Sequence, residues 1–386
     1  MSATPMIKKV FLVLALSMFF STLGTGIIVP FLPLYAQKMG ASGIWLGAIV
    51  AAFAISNSIA VPIAGRLSDQ RGRKLLLLIG LSALTVTSLG YIWANNPAYL
   101  SLVRFIQGAA GAATFPIAMA YLGDLSPEGE EGKWMGYANA AFFSGFGLGP
   151  LIGGVVTEHF GMPVAFFIMA GFNLLAFLIV LCFLPESSRR QTSEDRQLSF
   201  KEMSKSGIMK GLFSFRLGQA LGAGGFFAFF PIFAAMAGLS TSHIGILLTV
   251  NYLSPSLLTP LGGILADRFN RRTLSIAGNI LASLILAVIP LTNSFGQLFT
   301  VLLIQGIMGA VTLPAASALL VEEGRRYGMG STMSVFFLSM SIGMTVGPIV
   351  SGGMADWFNV GSVFYFGAVA GLIGTVLFAW FTRGYR

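Results

Sequence analysis

The chain has almost nothing with which to hold a metal or tie a covalent crosslink. It carries one cysteine, Cys182, and two histidines, His159 and His243, in 386 residues. A single cysteine excludes an internal disulfide and any all-cysteine cluster. The histidines lie too far apart in sequence to offer metal-ligand spacing. Charge is scarce as well: Asp, Glu, Lys and Arg make up 10% of the chain against 55% hydrophobic residues. A soluble protein carries about 25% charged residues, so water is not the main solvent of this fold. No nucleophile–base pair and no phosphate-cradling loop stands out, because the glycine-rich stretches fall inside apolar runs. Neither an enzyme nor a bound cofactor is expected.

What the chain does have is long apolar runs. A helix needs about 20 predominantly apolar residues to cross a bilayer. Spans are expected at roughly 10–35, 43–64, 74–95, 98–122, 134–157, 163–185, 209–237, 243–264, 273–293, 297–321, 331–355 and 361–382. The first run is too long for a signal-peptide core and has no small-residue cleavage site before Pro30 and Pro33, so no cleaved leader is expected. The net charge of +9 is a topology signal rather than a sign of nucleic acid. With the N-terminus inside, one set of connections holds Lys8, Lys9, Arg66, Arg71, Arg73, Lys74, Arg268, Arg271, Arg272, Arg325 and Arg326, among others. The opposite set holds only Lys38. Lys and Arg favour cytoplasmic loops, which places both termini in the cytoplasm of a cell with this protein in its inner membrane.

An internal repeat runs through these spans. The stretch Gly65-Arg-Leu-Ser-Asp69-Gln-Arg-Gly-Arg73-Lys74 aligns with Gly263-Ile-Leu-Ala-Asp267-Arg-Phe-Asn-Arg271-Arg272, a shift of 198 (263 − 65). The same shift carries Gln107 onto Gln305, Pro116 onto Pro314, Asp124 onto Glu322, Gly145 onto Gly343, Gly149-Pro150 onto Gly347-Pro348, and Glu158 onto Asp356. Loop lengths would break a chance register, so the chain is read as a duplication. Its parts are a six-helix bundle over 1–185, a hydrophilic cytoplasmic linker over 186–208 and a second six-helix bundle over 209–386.

The Gly65–Lys74 stretch resembles the signature loop between the second and third spans of the major facilitator superfamily. The fifth span, with Gly136, Gly145, Gly149, Pro150, Gly153 and Gly154, resembles the signature of that superfamily's drug:proton antiporters. Arg104-Phe-Ile-Gln107-Gly108-Ala-Ala-Gly111 resembles the arginine motif that accompanies it. Leu23-Gly-Thr25-Gly-Ile-Ile-Val-Pro30-Phe-Leu-Pro33 matches the first-span pattern of glycine followed by two prolines, which would make that helix bendable. The resemblance implies an all-α membrane protein with twelve transmembrane helices in two pseudo-symmetric bundles. It also implies secondary-active, proton-linked efflux of a small amphipathic solute or drug by a protein that works as a monomer. In related transporters the signature loop latches the cytoplasmic side. Here Gly65, Asp69, Arg73 and Asp124 stand in that role, repeated as Asp267, Arg271 and Glu322. Gly65 would admit a close helix. The glycines at every fourth residue of span 5 would form a groove for a neighbouring helix.

In the superfamily, spans 1, 4, 7 and 10 line the substrate cavity. Polar residues available there are Thr25, Arg104, Gln107, Arg216, Gln219 and Gln305, with Asn139 on a flanking span and Phe230 as an adaptable apolar wall. No Asp or Glu lies in the interior of any span; Asp124, Glu158, Glu322 and Asp356 all sit at ends. Exporters of lipophilic cations often hold a buried carboxylate, and this chain departs from that pattern. Arg104 and Arg216 bias the cavity positive. An intramembrane arginine costs at least ~2.5 kcal/mol at a helix centre and marks a functional site by default. An exporter or flippase of lipid-like or anionic amphiphiles, or an uncoupled facilitator, is the alternative reading.

Overall fold

A computed structural model of the protein describes residues 5–126, 130–186, 203 and 205–384. Most of the linker expected at 186–208 lies outside the described residues. The described chain is helical almost throughout. Helix α1 runs Pro5–Ile28, α2 Leu32–Lys38, α3 Gly43–Arg71, α4 Arg73–Gly90, α5 Pro97–Ala112, α6 Phe115–Leu125, α7 Glu131–Phe160 and α8 Met162–Phe183. The second repeat follows with α9 Gly207–Met236, α10 Thr241–Arg268, α11 Arg271–Val288, α12 Phe295–Tyr327, α13 Met329–Trp357 and α14 Ser362–Phe381. Among the described residues, 12 helical segments are long and apolar enough to cross a membrane. Two of them are broken helices: α1 with α2 spans Ile7–Lys38, and α5 with α6 spans Pro97–Leu125.

The break in the first span lies at 29–31, beside Pro30, and the helix resumes with Pro33 near the start of α2. Proline lacks the N–H and the room to continue a helix, yet suits a first turn. The glycine–proline pattern thus interrupts the helix without ending the span. In α7, by contrast, Pro150 stands inside a helix that continues on both sides.

The chain divides into two compact units that do not follow the repeat boundary. Unit 1 holds 1–40, 52–193 and 240–249; unit 2 holds 41–51, 194–239 and 250–386. In unit 1, α1 packs on α7 and α8, and α4 on α5 and α8. In unit 2, α9 packs on α13 and α14, and α11 on α12 and α14. Shifting by one repeat converts the first set of pairs into the second, so the duplication in sequence is a duplication in packing. The core of unit 1 gathers Leu14, Leu81, Ile117, Tyr121 and Val180. That of unit 2 gathers Leu212, Phe215, Leu319, Phe336 and Phe378.

Helix α1 meets α7 backbone to backbone, and small residues explain why. A Cβ built on Gly149 would stand 2.5 Å from Gly26 Cα, one on Gly145 would overlap Thr22 Oγ1, and one on Gly153 would overlap the Ile27 carbonyl. The repeat-related contact is made by Gly343 against Ala220 and Gly347 against Leu221, between α13 and α9. Lipid tails give no hydrophobic gain for helix association, so close van der Waals approach is what such surfaces supply. The Thr22 hydroxyl also donates to the Phe142 carbonyl at 3.1 Å, across the same pair of helices.

Candidate functional site

At the turn between α3 and α4 the chain passes through Gly72 at φ 99°, a left-handed conformation that favours glycine. This turn sets Arg73 at the start of α4. Its guanidinium meets Asp69 Oδ1 at 2.6 Å and Asp124 Oδ2, at the end of α6, at 3.1 Å. It also donates to Ser68 Oγ at 2.5 Å. In unit 2, Arg271 at the start of α11 meets Glu322 of α12 closely and Asp267 at 3.6 Å. Asn270 stands where the first repeat has Gly72, and there it caps α11, accepting from Thr273 N–H at 3.1 Å. The first trio is the more enclosed: the Arg73 side chain is 14% exposed and Arg271 30%, with Asp267 at 76%. Gly65, expected to admit a close helix, has no heavy atom within 4 Å of where a Cβ would stand. The same holds for Gly136 of the span-5 motif. Neither glycine therefore marks a close approach in this structure.

At the other end of α7 and α13 stand two acids with matching roles. In unit 2, Asp356 accepts from the backbone N–H of Gly43 at 2.6 Å and of Ile44 at 3.0 Å. In unit 1, Glu158 accepts from Ser242 N–H at 2.8 Å. Gly43 and Thr241 are the first residues of α3 and α10. The opening N–H groups of a helix have no partner within it and carry the positive end of its dipole, so a carboxylate satisfies both. Gly154 packs against Thr241 and Ser242, and Gly352 against Gly43, so the acids sit beside close backbone contacts.

The polar residues singled out from sequence fall into separate groups. In unit 1, Arg104 is 4% exposed and Gln107 1%. Arg104 Nη1 donates to Gln107 Oε1 at 2.9 Å, and the same oxygen accepts from Tyr91 Oη at 2.7 Å. The guanidinium carbon lies 4.7 Å from the centre of the Phe53 ring. Arg104 is thus held by a side-chain network and not by backbone carbonyls. Among the described residues, Thr25 and Asn139 bond within their own helices, to the carbonyls of Ser21 and Met135, each at 3.0 Å. In unit 2, Arg216 Nη1 reaches Gln219 Oε1 at 3.4 Å, and Gln219 donates to Asn279 Oδ1 at 2.9 Å. Gln305 keeps a buried Oε1 with no hydrogen-bond partner among the described residues. Phe230, expected as a cavity wall, is fully buried and stacked on Phe226, with centroids 4.8 Å apart. It belongs to the interior of the bundle.

Two asparagines that sequence reasoning passed over hold the bundles together. Asn173 of α8 accepts from Ser21 Oγ at 2.8 Å and donates to Ser88 Oγ at 3.3 Å, joining α8 to α1 and α4. Asn279 of α11 donates to Thr375 Oγ1 at 2.6 Å and the Gly371 carbonyl at 3.2 Å, joining α11 to α14. Each is the one amide in a run of apolar and small residues, and that was the signal available. Glu323 in the last turn of α12 is also buried, and it accepts from Ser206 Oγ, the cap of α9, at 2.6 Å. Among the described residues no group of His, Cys, Asp or Glu is arranged to hold a metal ion.

Twelve apolar spans, a duplicated packing scheme and a duplicated Asp–Arg–acid turn define a polytopic membrane transporter. The chain belongs to the Major Facilitator Superfamily, whose family model matches residues 14–242 and 212–386. It is a transporter of small solutes and not an enzyme. It is 25% identical over 372 residues to an uncharacterized MFS-type transporter of Methanocaldococcus jannaschii, covering 95% of this chain and 96% of that protein. It is 27% identical to the quinolone resistance protein NorA of Staphylococcus aureus, over 96% of this chain and 95% of that one. It is 29% identical to multidrug resistance protein 1 of Bacillus subtilis, over 95% of each. Among solved structures, a bacterial homologue of the human lysosomal transporter Spinster superposes with a TM-score of 0.83 at 18% identity, covering 100% of this chain and 98% of that one. The nucleoside transporter NupG superposes with a TM-score of 0.78 at 16% identity, over 98% and 100%. At these identities the likeness is one of fold.

Proposed function

We propose that this protein is a proton-linked exporter of a small amphipathic solute. It works as a monomer by alternating access, in an inner membrane with both termini cytoplasmic. The observation that carries the reading is the glycine face of α7. Gly145, Gly149 and Gly153 match the antiporter signature in sequence, and each packs on the backbone of α1. The relatives named for quinolone and multidrug resistance, matched over nearly the whole chain, point the same way. The concentration of Lys and Arg on one set of connections supports the orientation. On this reading the 186–208 stretch is a cytoplasmic linker between bundles of 1–185 and 209–386, and the Arg73 and Arg271 turns are cytoplasmic latches.

Proton coupling needs a group that changes charge during the cycle, and a carboxylate is such a group. With none inside the spans, the carriers are the acids at their ends. Asp124 is bound to Arg73, while Glu158 and Asp356 cap helices, so protonation of any of them releases a contact. The test is a proteoliposome carrying a trapped pH indicator, given a pH gradient and then cationic, neutral and anionic amphiphiles in turn. Solute-triggered proton flux that is lost in Arg104→Ala and slowed in Asp124→Asn is the expected result. Solute movement with no proton flux from any compound would demote the protein to an uncoupled facilitator.

A further inference from the structure

The two intramembrane arginines share one arrangement, although the repeat does not relate them. Each is followed three residues later by a glutamine whose Oε1 accepts from Nη1, at 2.9 Å for Arg104 and 3.4 Å for Arg216. Each lies over a phenylalanine ring, with the guanidinium carbon 4.7 Å from Phe53 and 5.4 Å from Phe336. Each keeps a buried Nε with no hydrogen-bond partner among the described residues. Neither forms an ion pair with a carboxylate among the described residues.

They differ in how much capacity is left. Arg104 is almost fully enclosed and its glutamine oxygen is shared with Tyr91. Arg216 is only half-buried. A guanidinium has five N–H donors. Besides the long bond to Gln219, the Arg216 group reaches, among the described residues, only the Met340 sulfur, at 2.8 Å, and a thioether is a weak acceptor. Its position is nevertheless fixed. Gln219 is tied to Asn279, and Asn279 to Thr375 and the Gly371 carbonyl, a ladder across α9, α11 and α14. Arg216 lies about 13–14 Å along α9 from its first residue at 1.5 Å per residue, deep enough that an unpaired charge is costly.

We propose that Arg216, positioned by Gln219 and Asn279, is the recognition point in unit 2 for the anionic group of an amphiphile, a carboxylate, sulfonate or phosphate. The planar fork matches such a group with two parallel bonds, and the half-buried Met340 beside it offers the apolar part a contact. The proposal rests on the transporter reading and names its substrate class. The same chemistry is presented by a free solute and by the headgroup of an anionic lipid.

The experiment is equilibrium binding to the full chain in nanodiscs, with no gradient imposed, so that failed proton coupling and failed anion recognition are distinguishable. Three naphthalene probes share one apolar ring and carry an anionic, a neutral or a cationic substituent: 2-naphthalenesulfonate, 2-naphthol and a 2-naphthyltrimethylammonium salt. In phosphatidylcholine discs the wild type should bind the sulfonate about tenfold or more tighter than the alcohol, the range for hydrogen bonds to a charged group. Arg216→Met should erase that preference while still melting cooperatively as a folded protein. In discs containing phosphatidylglycerol, native mass spectrometry reads whether the lipid is retained. Retention by wild type and not by Arg216→Met, with loss of sulfonate affinity, would support the proposal and identify the anion as a headgroup. A wild type with no preference for the sulfonate and no selective lipid retention overturns the proposal without reference to any variant. So does a preference that survives in Arg216→Met.

Discussion

Substituting Gly149 by alanine adds one methyl group where α1 and α7 leave no room for it. The new Cβ would stand 2.5 Å from both Cα and the carbonyl carbon of Gly26, and 2.8 Å from Ile27 N. Carbon atoms rest at about 3.5–4.0 Å, so the deficit is about 1 Å. Every atom in the way is backbone, and no side chain can rotate aside. The helices must therefore part along the contact, where the Gly145 and Gly153 approaches and the Thr22–Phe142 bond also lie. Overpacking of this kind costs about 1–3 kcal/mol. Gly136→Ala is the matched control: nothing lies within 4 Å of its Cβ position, and replacing an interior helical glycine gains up to about 1 kcal/mol. Both variants go into lipid nanodiscs for thermal melting and into proteoliposomes for transport. Gly149→Ala should melt below wild type and lose most transport, while Gly136→Ala should melt at or above it and transport normally. If Gly149→Ala melts and transports like Gly136→Ala, the two helices are not in backbone contact and the packing argument fails.

Arg73→Ala should slow transport more than Arg271→Ala, because the Arg73 trio is the less exposed and its ion pairs are the better screened from water. A double-mutant cycle of Arg73→Ala with Asp124→Ala should return a coupling of about 1 kcal/mol or less, as for other partly exposed pairs, and high salt should shrink it. Asp356→Ala should cost about 1 kcal/mol of cap and dipole stabilisation. Hydrogen exchange should then speed up at Gly43 and Ile44 and leave Ser242 unchanged. Asn173→Ala should destabilise by about 1–3 kcal/mol by stranding the Ser21 hydroxyl and removing the bond to Ser88, which keeps its own bond to the Leu84 carbonyl, while Asn139→Ala, which removes a bond to its own helix, should leave the melting temperature within error.

The spans were legible because a bilayer demands unbroken apolar runs, and such runs are visible without partners. The duplication was legible because one shift of register held from Gly65 to Glu158. The spacing of Gly145, Gly149 and Gly153 likewise foretold a groove, and the groove is occupied by α1. What stayed hidden depends on pairings distant in sequence. Nothing near Gly43 announces Asp356, and nothing near Asn173 announces Ser21 and Ser88. The break between α5 and α6 shows a subtler limit. Pro116 and Pro314 occupy equivalent positions, yet α12 continues through Pro314 and the fourth span breaks just before Pro116. The threonines two residues before them differ in one bond. Thr312 Oγ1 donates four residues back, to Met308, as a helix permits, and Thr114 donates three back, to Gly111. Equivalent residues thus adopt different backbones under different neighbours.

The caps made by Asp356 and Glu158 bear on what a fragment of this chain can be. Each cap lies within one compact unit, yet each joins residues from different sequence repeats, because 41–51 belongs to unit 2 and 240–249 to unit 1. A cut between the repeats, in the 186–208 stretch, is therefore not a cut between the units. Each resulting fragment would keep an acid whose helix start it had lost, and a helix start whose acid it had lost.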